Sequence, residues 1–179
     1  RAPTPILQNA SGFRRARRPE AVMSEVGNLA AIRRQFGSWN DGDWAGLSRD
    51  VADGYLMDSD TNVSPVVGKD GMRQYARTLH TGFPDLRFDL IEVFGNGDMV
   101  TATWIASATH RGDFRGLAST GRRIELHGCT VSRFRDGRIA RQHSYWDMAT
   151  LRRQLGAPVP RVMLLADAEI SIGDAGRDF

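Results

Sequence analysis

The first part of the chain has the apolar spacing of amphipathic helices. Apolar side chains recur every three or four positions over residues 24–39 and 70–82, which puts them on one face of a helix. We predict a helix in each segment, the second with Asp70 as its N-cap. Between them we predict a short helix over 43–49 and a short strand over 54–58. The residues that form the apolar faces are Leu29, Ile32, Phe36 and Trp39 in the first helix, and Met72, Tyr75, Ala76 and Leu79 in the second.

From residue 86 onward the pattern changes from helical spacing to alternation. Four strands are predicted, and they pair as two hairpins because Gly-Asn-Gly-Asp at 95–98 and Arg-Asp-Gly-Arg at 135–138 are typical of tight β-turns. A glycine-containing loop over 111–122 joins the hairpins. The predicted strands cover residues 86–94, 99–110, 124–134 and 139–146. In the second strand one face consists of Val100, Ala102, Trp104, Ala106, Ala108 and His110.

The last strand leads directly into a helix. Asp147 stands at the N-cap position, where its carboxylate accepts hydrogen bonds from the first turn, and Gly156 lies where the helix ends. Residues 143–147 are therefore at a strand-to-helix junction, where polar side chains can face a cavity between sheet and helix. The order of helices, antiparallel strands and a final helix predicts an α+β domain with its helices on one face of a curved sheet.

Composition indicates one domain without a charged partner. A chain of 179 residues, 41% of them hydrophobic, has room for a single well-cored domain. The net charge of +3 comes from residues 1–22, which hold five arginines and one glutamate, whereas residues 23–179 carry 19 basic and 20 acidic side chains. Because the remaining arginines are scattered, we predict no nucleic-acid partner.

The two ends of the chain are distinct from this domain. Residues 1–22 have no hydrophobic period, and we interpret them as a flexible leader or as an addition to a native chain that starts at Met23. The predicted domain covers residues 23–158, and the apolar tail over 159–179 is expected to dock on it or on a dimer partner. No stretch has the length and hydrophobicity of a membrane span, and the single cysteine is compatible with a reducing compartment, so we expect a cytoplasmic protein.

Four segments carry a resemblance to a known family. They are FPDL at 83–86, THRGDFRGLASTGRRI at 109–124, DGRI at 136–139 and YWDMATLRRQLG at 145–156. In this order they resemble the SnoaL-like polyketide cyclase branch of the nuclear transport factor 2-like (NTF2-like) superfamily, over roughly residues 25–158. The resemblance implies a cone with a curved antiparallel β-sheet, three to four helices on its concave face, an apolar cavity and dimerisation through the outer sheet face. It also implies small-molecule chemistry without a metal or redox cofactor.

One position departs from the pattern of that family. In SnoaL-like cyclases the general acid/base is an aspartate three positions before the acidic residue that begins the final helix. Counting back from Asp147, this position is Ser144. A serine cannot act unaided as a general base, because the pKa of its hydroxyl is far above neutral. The aldol cyclase mechanism therefore does not transfer directly to this chain.

The candidate site residues come from the strand-to-helix junction and from the loop near the expected mouth of the cone. Asp58, His143 or Asp147 is a candidate for proton transfer, although Asp147 is also explained as a structural N-cap. Ser144 or Tyr145 is a candidate for hydrogen bonding to an oxyanion. The candidate substrate-binding residues are aromatic and comprise Trp39, Tyr55, Trp104, Phe114, Tyr145 and Trp146.

The register of the last hairpin decides which of these side chains face the cavity. A two-residue turn at 136–137 puts His143 and Tyr145 on the face that Thr130 occupies. A three-residue turn puts them on the face of Cys129 instead. One residue of slip exchanges the two faces, so both arrangements stay open.

These observations predict a cofactor-free enzyme that cyclises or isomerises a polyketide-like or polycyclic oxygenated substrate, with acid/base assistance in an apolar cavity. The expected partners are an apolar small molecule and a second copy of the chain, without a metal, nucleic acid or membrane. Two alternatives stay open. One is a ligand-binding protein of the same fold without catalysis, which Ser144 favours. The other is an epoxide hydrolase, which needs paired carboxylates around a water, such as Asp58 or Asp60 with Asp147.

Overall fold

The structure is a computed structural model that describes residues 19–159, with side chains from residue 24 onward. Residues 160–179 of the predicted tail and residues 1–18 of the predicted leader lie outside the described residues. The helices are α1 (Pro19–Asp41), α2 (Gly68–Gly82) and α3 (Met148–Leu155), with a 3-10 turn at Gly46–Ser48. The strands are β1 (Val51–Ser59), β2 (Val66–Val67), β3 (Arg87–Asn96), β4 (Met99–Thr109), β5 (Arg123–Arg135) and β6 (Arg138–Trp146).

In the described part of the chain the strands form one six-stranded sheet in the order β2-β1-β6-β5-β4-β3. The sequence predicted an α+β domain with helices on one face of a curved sheet, and the structure confirms it. The sheet is not entirely antiparallel, however. β1 runs parallel to β6, with Asp58 opposite His143 and Ser59 opposite Ser144. This pairing joins the first strand of the chain to the last, so it does not arise from a local hairpin.

Several element boundaries differ from the prediction. Helix α1 begins at Pro19, inside the segment interpreted as a leader. Helix α2 begins at Gly68, and its N-cap is Val67, which makes no side-chain capping bond; Asp70 lies in the first turn and pairs with Arg73 instead. The short strand β2 lies between the predicted strand over 54–58 and the predicted helix over 70–82, where no strand was predicted. It forms because residues 66 and 67 pair with β1 immediately before the helix starts.

The core lies between the concave face of the sheet and the helices. The face of β4 that carries Val100, Ala102 and Trp104 is buried, with each of these side chains no more than 6% exposed. Helix α1 contributes Ile32 and Phe36, also buried. The alternation in β4 and the helical spacing in α1 thus mark the two surfaces that meet, as hydrophobic burial requires.

A β-bulge in β6 decides the register of the last hairpin. The turn has two residues, Asp136 and Gly137, both with positive φ (51° and 69°), and Arg135 pairs with Arg138. The register then shifts by one residue, because Phe134 pairs with Ile139 but Arg133 pairs with Arg141. Ala140 is therefore the extra residue, and beyond it the side chains exchange faces.

The bulge reverses the faces that a regular two-residue hairpin would give. His143 lies opposite Val131 and Tyr145 opposite Cys129, on the outer face of the sheet. The prediction that a two-residue turn puts these residues on the face of Thr130 is thus wrong. Gln142, Ser144 and Trp146 face inward in their place, on the same side as Thr130.

Candidate functional site

A cavity of about 800 Å³, its open mouth included, lies between the sheet and the helices. Its walls are mainly aromatic and aliphatic. The apolar lining consists of Phe36, Trp39, Met57, Met72, Tyr75, Leu79, Phe83, Leu86, Phe88, Trp104, Ala106, Phe114, Ile124, Leu126, Trp146 and Leu151. The polar lining consists of Gln35, Thr130, Gln142 and Ser144. An apolar cavity with a few polar groups on its wall is typical of a small-molecule site.

The first polar feature is a chain of three side chains on the sheet wall. The indole Nε1–H of Trp104 donates to Thr130 Oγ1 at 3.0 Å. Thr130 Oγ1 and Ser144 Oγ are 3.0 Å apart on neighbouring strands. The indole N–H can only donate, so it occupies one of the two acceptor positions of Thr130, and either hydroxyl can be the donor between Thr130 and Ser144. In the arrangement in which Thr130 donates, the Ser144 hydroxyl proton is available to a ligand.

The second polar feature is a buried amide cluster. The Tyr55 hydroxyl donates to Gln142 Oε1 at 2.5 Å. Gln142 Nε2 donates to Gln35 Oε1 at 2.8 Å and to Ser132 Oγ at 3.0 Å. All four side chains are buried, so these bonds lie in a low-dielectric environment where each one restricts the geometry of the next.

The predicted substrate-binding residues lie in three places. Trp39, Trp104, Phe114 and Trp146 line the cavity. Tyr55 is fully buried behind the cavity wall and supports Gln142. Tyr145 is on the outer face, 48% exposed, with its ring 4.3 Å from that of His143.

The predicted catalytic residues are not brought together. Ser144 lines the cavity, whereas Asp58 and His143 are paired on the opposite face of the sheet. His143 Nε2 lies 3.2 Å from Asp60 Oδ1, on that same outer side. Among the side chains described for residues 24–159, the cavity lining includes no carboxylate and no imidazole.

Asp147 is the N-cap of α3. Its carboxylate accepts from the backbone N–H of Ala149 at 2.7 Å and of Thr150 at 3.0 Å. The Thr150 hydroxyl, these N–H groups and Arg153 hold the pKa of Asp147 below its usual value. The capping role predicted from sequence is confirmed, and a carboxylate with these partners has little tendency to take up a proton near neutral pH.

Burial affects the two tyrosines near the cavity. It raises the pKa of Tyr55, whose hydroxyl is fully enclosed, and also the pKa of Tyr75, whose ring lines the cavity. Both hydroxyls therefore stay protonated and do not serve as phenolate bases.

The loop between β4 and β5 covers one side of the cavity. Phe114 is buried there and lines both the main cavity and an adjoining groove of about 810 Å³. Arg115, with a left-handed φ of 54°, donates to the Thr61 carbonyl oxygen at 2.6 Å and to Asn62 Oδ1 at 2.8 Å. These two bonds connect this loop to the loop that follows β1.

Sequence reasoning missed the polar residues of the cavity wall. Thr130 and Gln142 were hidden by the unresolved register of the last hairpin. Gln35 did carry a signal, because it lies three residues after Ile32, next to Phe36, within the apolar stripe of α1. A polar residue inside such a stripe is buried and needs a hydrogen-bond partner.

A curved sheet that encloses an apolar cavity together with its helices defines the class of NTF2-like domains. The chain belongs to the SnoaL-like polyketide cyclase family, whose model matches residues 30–155. No curated protein sequence matches the chain. Within residues 19–159, no helix combines the length and hydrophobicity of a membrane span.

Solved structures agree with this assignment. AclR from Streptomyces galilaeus, a proposed hydroxylase, is 25% identical, with a TM-score of 0.65 over 74% of this chain and 97% of AclR. IdmH from Streptomyces antibioticus, a proposed polyketide cyclase, is 26% identical, with a TM-score of 0.64 over 73% of this chain and 99% of IdmH. A proposed SnoaL-like polyketide cyclase from Jannaschia Sp. CCS1 is 21% identical, with a TM-score of 0.71 over 80% of this chain and 98% of its own.

Proposed function

We propose that the protein cyclises or isomerises a polyketide-like or polycyclic oxygenated substrate without a cofactor. The observation that carries the proposal is the apolar cavity with the hydroxyl pair of Thr130 and Ser144 on its wall. The family to which the chain belongs and its similarity to IdmH and AclR also support a small-molecule enzyme.

The cavity would act first by folding the substrate. Its aromatic walls would bury a flat, flexible molecule and hold the reacting carbons near each other. This lowers the entropy cost of reaching the transition state. The water-poor surroundings also strengthen any hydrogen bond formed inside. Shape and desolvation would therefore supply most of the rate enhancement.

The second contribution would come from Ser144. Its hydroxyl would receive a hydrogen bond from Thr130, whose oxygen accepts from the Trp104 indole N–H. Such a chain polarises the terminal hydroxyl and makes it a better donor to the oxygen of a developing enolate or alkoxide. We assign Ser144 this role in stabilising an oxyanion.

Proton transfer needs a separate base. An activated C–H between two carbonyl groups would lose its proton to water at the cavity mouth, the carbon would attack the second carbonyl, and the resulting alkoxide would regain a proton from water. Asp58 and His143 remain candidates for assisting this step, but from their positions outside the cavity they would have to act through water. Asp147 would also have to act through water, and its capping bonds disfavour its taking up a proton.

The test is a comparison of wild type with Ser144→Ala and Ser144→Asp, using a tricyclic aromatic diketo ester as the substrate. Product is detected as a compound of unchanged or dehydrated mass with altered chromatographic retention. We expect Ser144→Ala to lower kcat about tenfold or more, because an oxyanion donor is lost. Ser144→Asp should raise kcat, because it puts a carboxylate base in an apolar cavity. Equal kcat values for wild type and both variants would contradict the role of Ser144.

A second candidate function is ligand binding without conversion. It is favoured by the described cavity lining, which within residues 24–159 holds no carboxylate or imidazole. Retention of the diketo ester in native mass spectrometry, with no product after prolonged incubation, would support it. The same lining disfavours an epoxide hydrolase, which needs carboxylates around a water. Incorporation of labelled oxygen from water into the product would instead support epoxide hydrolysis.

We also propose a cytoplasmic homodimer that associates through the outer sheet face. That face carries exposed apolar side chains, among them Phe94 and Tyr145. Sedimentation equilibrium of the full chain tests the dimer. A monomer at micromolar concentration would contradict it.

A further inference from the structure

Gln35 has a hydrogen-bonding capacity that the protein does not use. The residue lies on α1, is 3% exposed and lines the cavity. Its Oε1 accepts from Gln142 Nε2, but its own Nε2 has no hydrogen-bond partner among the described residues. A buried donor without a partner is rare in folded proteins and calls for an explanation.

The orientation of this amide follows from Tyr55. The Tyr55 hydroxyl is fully buried, and its two neighbouring acceptors are Gln142 Oε1 at 2.5 Å and the weak acceptor Met72 Sδ at 3.8 Å. The hydroxyl proton therefore goes to Gln142, which fixes the Gln142 amide with its oxygen toward Tyr55. A rotated Gln142 amide would leave the tyrosine proton without a good acceptor.

With Gln142 fixed, the rest of the cluster follows. Its Nε2 has two protons, and the structure gives them two acceptors, Gln35 Oε1 and Ser132 Oγ. Gln35 must then direct its oxygen toward Gln142, because two facing NH₂ groups cannot bond. Tyr55 and Gln142 thus hold the Gln35 amide with its N–H groups uncommitted.

We propose that a ligand displaces the side chains that enclose Gln35 Nε2 and that this nitrogen then binds a carbonyl oxygen of the ligand, so that Gln35 selects ketones, esters or quinones over hydrocarbons of the same shape. A carbonyl oxygen fits best because it offers two acceptor positions and brings no proton of its own. The nearby acceptors, Gln142 Oε1 and Gln35 Oε1, are already engaged. The inference rests on the proposed function in that it takes the cavity to be the ligand site, and it adds a contact separate from Ser144.

The test measures binding rather than turnover, with 2-acetylnaphthalene and 2-ethylnaphthalene as probes of nearly equal shape. Wild type, Gln35→Leu, Gln35→Glu and the control Gln74→Leu, which makes the same substitution at an exposed position of α2, are titrated as full-length protein by calorimetry. Gln35→Glu keeps the acceptor for Gln142 and removes the donor once its carboxyl is ionised, so this variant is titrated at alkaline as well as neutral pH. It then separates ligand binding from support of the cluster. Thermal melting checks that each variant is folded.

We expect wild type and Gln74→Leu to bind the ketone about five- to tenfold more tightly than the ethyl compound, the value of one hydrogen bond. The preference should disappear in both Gln35 variants. The carbonyl stretching band of a ¹³C-labelled ketone should lie at lower frequency in wild type than in Gln35→Leu, because a hydrogen bond weakens the C=O bond. A preference that survives in the Gln35 variants, no preference in wild type, or no binding of either probe would overturn the proposal. The turnover test with Ser144 variants is independent, so failure of one proposal is distinguishable from failure of the other.

Discussion

Gly128 provides a direct test of the cavity wall. It lies on β5 opposite Trp104 of β4, and the absence of a side chain lets the indole lie against the backbone. A Cβ at Gly128 would lie 2.2 Å from Cη2, 2.3 Å from Cζ2 and 2.6 Å from Cζ3 of Trp104, whereas ordinary contact begins at 3.4 Å. In Gly128→Ala the indole would therefore have to move by more than about 1 Å.

That movement has little room. Trp104 is 6% exposed, its ring lies edge-on to Phe88 with centroids 5.2 Å apart, and its Nε1–H donates to Thr130. Overpacking costs about 1–3 kcal/mol and loss of the indole hydrogen bond about 1 kcal/mol more. We expect Gly128→Ala to lower the free energy of unfolding by about 2–4 kcal/mol, which corresponds to a Tm lower by about 5–12 °C for a domain of this size.

Urea denaturation followed by circular dichroism measures this change. Gly54→Ala is the matched control, because it makes the same substitution in β1, where a Cβ has no neighbouring atom within 4 Å. The control should stay within about 0.5 kcal/mol of wild type or be slightly more stable. Equal stabilities of the two variants would mean that Trp104 does not lie over Gly128, and the geometry of the Trp104, Thr130 and Ser144 chain would then be wrong.

Two further predictions concern the edges of the site. Asp147→Ala should lower the free energy of unfolding by about 1 kcal/mol at pH 7, because α3 loses its N-cap. The pKa of Asp147 is lowered in the folded state, so the stabilisation by its carboxylate is present above its unfolded pKa of about 3.9 and is lost as the pH falls through the folded pKa. A stability difference between Asp147→Ala and wild type that stays constant in urea titrations from pH 7 down to pH 2.5 would contradict this. Arg115→Ala removes both hydrogen bonds to the loop after β1. It should speed amide hydrogen exchange over residues 111–117 about tenfold, with Arg111→Ala as the control. Unchanged exchange would show that the loop is held by Phe114 alone.

Much of the fold could be read from local patterns. The apolar stripe of α1, the alternation of β4, the Asp136-Gly137 turn and the Asp147 cap each depend on residues close in sequence, and each occurs in the structure. Such features are determined by backbone sterics, side-chain capping and burial of one face, which operate over a few residues. The resemblance that indicated the family also rested on short contiguous segments, and the family is confirmed.

The site itself depended on contacts that no local pattern contains. The bulge at Ala140 turned His143 and Tyr145 outward and Gln142 and Ser144 inward, although Arg-Ile-Ala-Arg has no signal for an extra residue. Gln35 meets Gln142 across 107 positions in sequence. In a strand, a shift of one residue reverses every side chain, and the energy that selects the register comes from packing against distant helices and strands. The sequence alone therefore determined which elements form, while the tertiary structure decided which of their side chains face the cavity.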